Sequence, residues 1–191
     1  MDGQWATIYA AGIAAIVTLA GAVIAYRAGS RQVRDQGDIA HSHWLRTQRE
    51  QAYVEYLSAC EMAADAIYKC SLRLDEVIIS ISNPQFSGNR AEEAASIGID
   101  EAYELVDSSQ SALNRIIMLG PDVLAEQAEK VKRALWSYAG DTQRIVVKLA
   151  RENPSQREVD LANDKMNDVY VAREEFTKLA RQVLTRRAFD D

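Results

Sequence analysis

The sequence predicts an all-α protein, with an N-terminal single transmembrane helix followed by an antiparallel four-helix bundle whose first helix is the longest. Three observations carry that expectation. An uncharged, apolar stretch opens the chain, apolar residues recur at three- and four-residue steps through most of the remaining sequence, and turn-forming residues concentrate at a few points. The organisation expected is a transmembrane segment over 1–26, a juxtamembrane stalk over 27–42 and a helical bundle domain over 43–191.

No charged side chain lies between Gly3 and Tyr26, and Ala6 to Ala25 is almost wholly Ala, Ile, Val, Leu and Gly. As a helix, the stretch from Trp5 to Tyr26 is about 31 Å long, close to the thickness of bilayer hydrocarbon, with an interfacial aromatic ring at each end. Only Asp2 precedes it, whereas Arg27, Arg31 and Arg34 follow. The positive-inside bias then places the N-terminus outside and the C-terminal domain in the cytoplasm of a cell membrane. Ala20-Gly21-Ala22 has the small-x-small form of a signal-peptidase site, but a signal peptide needs a basic start and a shorter apolar core. Small residues form columns along the segment: Ala10, Ala14, Thr18 and Ala22 on one, Gly21, Ala25 and Gly29 on the next. Such columns let helix backbones approach, so they mark a candidate oligomerisation face.

The stalk contains Gly29 and Gly37 among charged residues, and the sequence leaves open whether it is helical or partly irregular. From His41 a long amphipathic helix is expected, with Tyr53, Tyr56, Cys60, Ala63, Ile67, Cys70, Leu74, Val77 and Ile81 on its inner stripe. Ser82-Asn83-Pro84 ends it. A second helix carries Ala102, Leu105, Val106, Ser109, Ala112, Leu113 and Ile116, and stops at Gly120. Pro121 opens a third at a first-turn position, with Leu124, Val131, Leu135, Tyr138, Thr142, Ile145 and Leu149 inward. After Asn153-Pro154, Ser155-x-x-Glu158 resembles a capping box, and Val159, Ala162, Met166, Val169, Phe176, Ala180 and Val183 line the fourth. Gly98 and Gly140 interrupt helical patterns, and Gly140-Asp141 is the expected break because an Asp can cap a restart. Glu126 with Lys130, Glu129 with Arg133 and Glu174 with Lys178 read as exposed ion pairs.

A formal charge of −6 excludes a dedicated nucleic-acid binder, which needs a basic face. The two cysteines, Cys60 and Cys70, are ten residues apart on one helix, about 15 Å, too far for a disulfide. They read as free thiols, whether as small buried hydrophobes or as the thiols of a reducing compartment. His41 and His43 are the only histidines and join no ligand-spaced cluster, and no phosphate loop, dinucleotide fingerprint or nucleophile elbow occurs. The sequence therefore predicts no enzyme, no cofactor and no metal. Arg46, Arg49, Arg181, Arg186 and Arg187 gather at the membrane-facing end of the expected bundle and are candidates for contact with lipid headgroups.

The run Trp44-x-Arg46-x-x-Arg49-x-x-Ala52-Tyr53-x-x-Tyr56-Leu57, behind an N-terminal span and polar stalk, resembles small bacterial membrane-anchored helical proteins of unknown function. The resemblance covers about the first 60 residues and implies architecture without active residues. From the residues themselves, Trp44, Ala52, Tyr53 and Tyr56 are expected on the packing face, and Arg46 with Glu50 as an exposed pair. The function expected is a membrane-anchored interaction or scaffold module with a protein partner or a second copy of itself. The alternatives are a bundle that senses a ligand near Tyr53, Tyr56, Tyr138 or Tyr170, and an oligomerising effector that acts on the membrane.

Overall fold

The computed structural model describes the backbone of residues 2–83, 85–86 and 88–186. Side chains are described over the same range except for residues 1–24, 27, 28, 30–35, 38 and 186. Every regular element among the described residues is a helix: α1 (Asp2–Ile81), α2 (Arg90–Ala95), α3 (Ile99–Leu119), α4 (Asp122–Leu149) and α5 (Gln156–Arg186). The chain divides into two compact units, Met1–Arg46 and Thr47–Asp191.

Helix α1 supplies all of the regular structure in the first unit. The stalk is therefore helical through Gly29 and Gly37, and the first helix begins at Asp2 rather than near His41. Neither glycine is demanded by a close neighbour, since a Cβ built on either meets nothing within 4 Å. No helix among the described residues is long and apolar enough to cross a membrane. The Ala6 to Ala25 stretch, expected to do so, has its side chains outside that described set up to residue 24.

In the second unit α1, α3, α4 and α5 form the bundle. Each expected α1 stripe residue from Tyr53 to Ile81 is buried. Side-chain bonds fix the directions. Glu55 pairs with Arg115, and Arg49 Nε donates to the Leu119 carbonyl, so α1 and α3 are antiparallel. The Tyr56 hydroxyl donates to the Ala128 carbonyl at 2.6 Å, and the Tyr138 hydroxyl to Ser71 Oγ at 3.4 Å, so α1 and α4 are parallel. Phe176 of α5 meets Tyr53 and Tyr56 edge-on, with ring centroids 6.1 and 5.4 Å away, and Arg173 reaches Glu61 at 3.5 Å. Gln127 Nε2 donates to the Ala172 carbonyl at 3.2 Å, and Lys148 pairs with Glu158 at 2.7 Å, joining α4 to α5. The buried aromatic rings contribute both apolar area and the favourable edge geometry of their quadrupoles. Each buried tyrosine is held un-ionised mainly by desolvation, which raises the pKa of Tyr53, Tyr56 and Tyr138.

The helix ends correct one expectation. Gly140 does not break its helix: α4 runs unbroken to Leu149, and Asp141 pairs with Arg144 at 2.8 Å instead of capping a restart. The break falls at Gly98, whose φ of 72° is left-handed and separates α2 from α3. Ile97 and Ile99 on either side are 4 % and 7 % exposed. Turning both inward within three residues requires a conformation that side-chain-bearing residues rarely adopt.

At Ser155, Glu158 accepts from the Ser155 backbone N at 2.8 Å, which is one half of the expected box. The other half is altered, because the Ser155 hydroxyl donates to Glu158 Oε2 at 2.6 Å rather than accepting from the helix backbone. Of the three expected helix-surface pairs, Glu174 with Lys178 closes, at 2.7 Å, and the other two form no salt bridge among the described residues. Trp44 is another correction. It is 53 % exposed and stacks on His41 with centroids 5.9 Å apart, so it does not belong to the packing face.

Candidate interaction surfaces

The bundle interior is occupied by its own side chains. Tyr56, Tyr138 and Phe176 are fully buried, Tyr53 is 2 % exposed, and Ser109 and Thr142 turn their hydroxyls back to the carbonyls of Val106 and Tyr138. The Tyr53 hydroxyl lacks a hydrogen-bond partner where it lies buried beside Gly120. The tyrosines singled out from the sequence as pocket-lining are thus packing residues, except Tyr170, which is half exposed at the surface of α5.

Open space lies instead between α1 and α3, in a groove of about 600 Å³. It is lined by small residues, Ala66 and Cys70 of α1 with Ala102 of α3 and Gly98 at the α2–α3 break, and by Asp65, Lys69, Arg73 and Glu101. Lys69 is engaged by Asp65 at 2.6 Å. That bond raises the Lys69 pKa above its usual value, while burial pushes the Cys70 thiol up. The groove falls within the volume range of small-molecule sites, although a site normally adds convergent buried polar groups to its volume.

A second surface surrounds the α3–α4 turn. Gly120 N donates to the Ile116 carbonyl at 2.7 Å, and Pro121 precedes α4 in extended conformation. A Cβ on Gly120 would stand 2.8 Å from the Ile116 carbonyl oxygen, so the turn is tight against its own helix end. Ile117, Met118 and Val123, which bracket it, are 48 %, 83 % and 61 % exposed. A groove of about 400 Å³ adjoins it, lined by Ile117, Asp122, Ala125, Glu126, Glu129, Lys130 and Arg133. An apolar tip beside mixed charge has the composition of a protein contact: apolar at the centre, polar at the rim.

No family model, no curated protein and no solved structure matches this chain. The surfaces must therefore be read from their own chemistry. Among the described residues no group of His, Cys, Asp and Glu is arranged to hold a metal ion.

Of the residues predicted from the sequence, Trp5, Ala10, Ala14, Thr18, Gly21, Ala22, Arg27, Arg31, Arg34, Arg186 and Arg187 lie outside the described side chains. Tyr26 is 78 % exposed, and Ala25 and Arg46 are exposed. Arg181 is exposed on α5, but Arg49 is half-buried, its guanidinium bound to the last carbonyl of α3. Arg49 thus satisfies a helix-end carbonyl that would otherwise be unpaired. The α3–α4 tip and the α1–α3 groove were not singled out in the sequence. Consecutive apolar residues at a helix end, Ile116-Ile117-Met118-Leu119, were the available signal for the tip: one side of a helix cannot bury four residues in a row.

Proposed function

We propose that this protein is a membrane-anchored, non-enzymatic helical interaction module: the Ala6 to Ala25 stretch spans the bilayer once, and the bundle presents its surface to a protein partner on the cytoplasmic side. The observation that carries the interaction half is the exposed apolar tip at the α3–α4 turn, with Met118 at 83 % and Val123 at 61 % exposure. Water contact at these residues is unfavourable, and covering them with a partner recovers about 25 cal/mol for each Å² of apolar area removed from solvent. The anchor half is supported by the uncharged length from Gly3 to Tyr26 and by the arginines that follow it. Contact of Arg46 with headgroups is disfavoured in this reading, because Arg46 is about 30 Å along α1 from Tyr26.

Two experiments test the two halves. Full-length protein that stays in the supernatant after detergent-free ultracentrifugation of membranes refutes the anchor, and protease protection in sealed vesicles reports the side on which the bundle lies. For the surface, Met118→Asp with Val123→Asp leaves the buried core untouched. Loss of a crosslinked partner in that variant supports the tip, and retention of every partner refutes it.

A second reading, a bundle that senses a small ligand, is favoured by the α1–α3 groove rather than by the tyrosines. Filling it with Ala66→Leu, a partly exposed position on its lining, should block any such response without altering membrane association.

A further inference from the structure

Two donors of α1 converge on the C-terminal end of α3. Arg49 and Tyr53 are four residues apart, so they share one face of α1, and both belong to the bundle unit. Arg49 Nε donates to the carbonyl of Leu119, the last residue of α3, at 2.5 Å. The Tyr53 hydroxyl, buried beside the next residue, Gly120, has no hydrogen-bond partner. Tyr53 is 2 % exposed and its ring stands edge-on to Phe176, so the hydroxyl is held at this end of α3.

An idle buried hydroxyl destabilises, and phenylalanine would pack the same ring without that penalty. The space at Gly120 gives the hydroxyl a use. A Cβ there would lie 2.8 Å from the Ile116 carbonyl oxygen and 3.5 Å from the Tyr53 hydroxyl oxygen. Glycine therefore leaves an opening with an unused donor on one side and a helix-end carbonyl on the other. That carbonyl accepts from Gly120 N at 2.7 Å, which occupies one of its two lone pairs.

We propose that the end of α3 has two held positions, one capped by Arg49 and one capped by Tyr53. In the first, described above, Arg49 holds the Leu119 carbonyl and the Tyr53 hydroxyl is idle. In the second, Arg49 has let go, the last turn of α3 closes toward α1 across the Gly120 opening, and the Tyr53 hydroxyl donates to the free lone pair of the Ile116 carbonyl. The helix end is recapped instead of fraying. Closely packed elements exchange between discrete arrangements rather than deforming continuously. Ile117 and Met118 belong to the turn that moves, so the exchange displaces these exposed apolar side chains together. The inference deepens the docking reading of the α3–α4 tip by giving that surface two positions, and it requires no partner to be bound.

A double-mutant cycle, read by amide hydrogen exchange of the full-length protein over residues 116–120, tests it. Tyr53→Phe alone should leave exchange within about twofold of the parent, because the hydroxyl is idle while Arg49 is in place. Combined with Arg49→Gln, it should accelerate exchange beyond the product of the two single effects by at least about fivefold, because only then does the helix end lose both donors. A larger acceleration in Tyr53→Phe alone means that its hydroxyl is already bonded, and a smaller excess in the pair means that it never takes over; either result overturns the two positions. A second readout avoids the double variant: the Tyr53 hydroxyl proton, assigned by its loss in Tyr53→Phe, should exchange with water at least about tenfold more slowly in Arg49→Gln than in the parent, and an equal rate overturns the proposal. These measurements can fail while Met118→Asp with Val123→Asp still abolishes partner capture, whereas a tip that captures no partner leaves the two positions standing.

Discussion

Replacing Gly98 and Gly140 by alanine should move stability in opposite directions. Gly98 holds φ at 72°, and a Cβ there meets nothing within 4 Å, so the whole penalty is backbone strain. Placing a Cβ in that conformation costs about 1–2 kcal/mol. Gly140 lies inside α4, where its Cβ would find only the Tyr103 hydroxyl at 3.8 Å, an ordinary contact. Alanine there removes backbone entropy from the unfolded chain and gains about 0.5–1 kcal/mol. At about 3 °C per kcal/mol for a unit of this size, the two variants should melt about 5–9 °C apart, Gly98→Ala below the parent and Gly140→Ala above it. Thermal melts by circular dichroism and urea midpoints at constant slope measure the gap in full-length protein. Shifts of the same sign, or a Gly98→Ala variant as stable as the parent, refute the assignment of the kink to Gly98.

Other expectations come from the same geometry. Phe176→Ala should cost about 3–5 kcal/mol, because the ring is fully buried between Tyr53 and Tyr56, whereas Val171→Ala on the exposed face of the same helix should stay within about 0.5 kcal/mol by urea melts. Glu158 is held down to about 2, first by the Lys148 ammonium and then by the Ser155 hydroxyl and backbone N–H. A carboxyl depressed by folding stabilises above its unfolded pKa, and that contribution disappears as pH falls from about 4.5 toward 2. Glu158→Gln should therefore flatten the urea midpoint against pH across that window, and an unchanged slope would count against the capping role. Burial pushes the Cys60 thiol up to about 11. An aromatic disulfide reagent at pH 8 should leave Cys60 unmodified until the protein is unfolded, and immediate modification would contradict its burial.

The core was legible because helical periodicity reports burial directly. Every α1 position from Tyr53 to Ile81 on the expected stripe is inside, as are Leu124 to Leu149 on the expected stripe of α4. Met166 and Val183 lie on the expected face of α5 but are only half-buried, since they sit nearer its edges. The glycines were misjudged for a local reason. Asp141 is chemically able to cap, but it forms an ion pair with Arg144 one turn on, whereas Gly98 has no capping residue and is set by two isoleucines that must both reach the core. Trp44 shares the expected packing face with Ala52, Tyr53 and Tyr56, yet it belongs to the first unit, which ends at Arg46, and not to the bundle unit. The groove between α1 and α3 could not be read in advance. It arises from small residues at Ala66, Cys70 and Ala102 that are separated in sequence and meet only after folding. The signal for the α3–α4 tip is not periodicity but its interruption: four apolar residues in a row, Ile116 to Leu119, leave Ile117 and Met118 exposed while Ile116 is buried.

The order in which the bundle's walls are synthesised imposes a delay. The Tyr56 hydroxyl finds its acceptor 72 residues further along the chain, at Ala128, and its ring partner Phe176 comes later still. At ribosomal rates of about 5–20 residues per second, the inner stripe of α1 waits for several seconds before α4 and α5 exist to cover it. Throughout that interval a greasy surface meant for the core stands open to chaperones, proteases and neighbouring nascent chains, so slowing translation between Tyr56 and Phe176 should lower the yield of intact protein before it alters the stability of what survives.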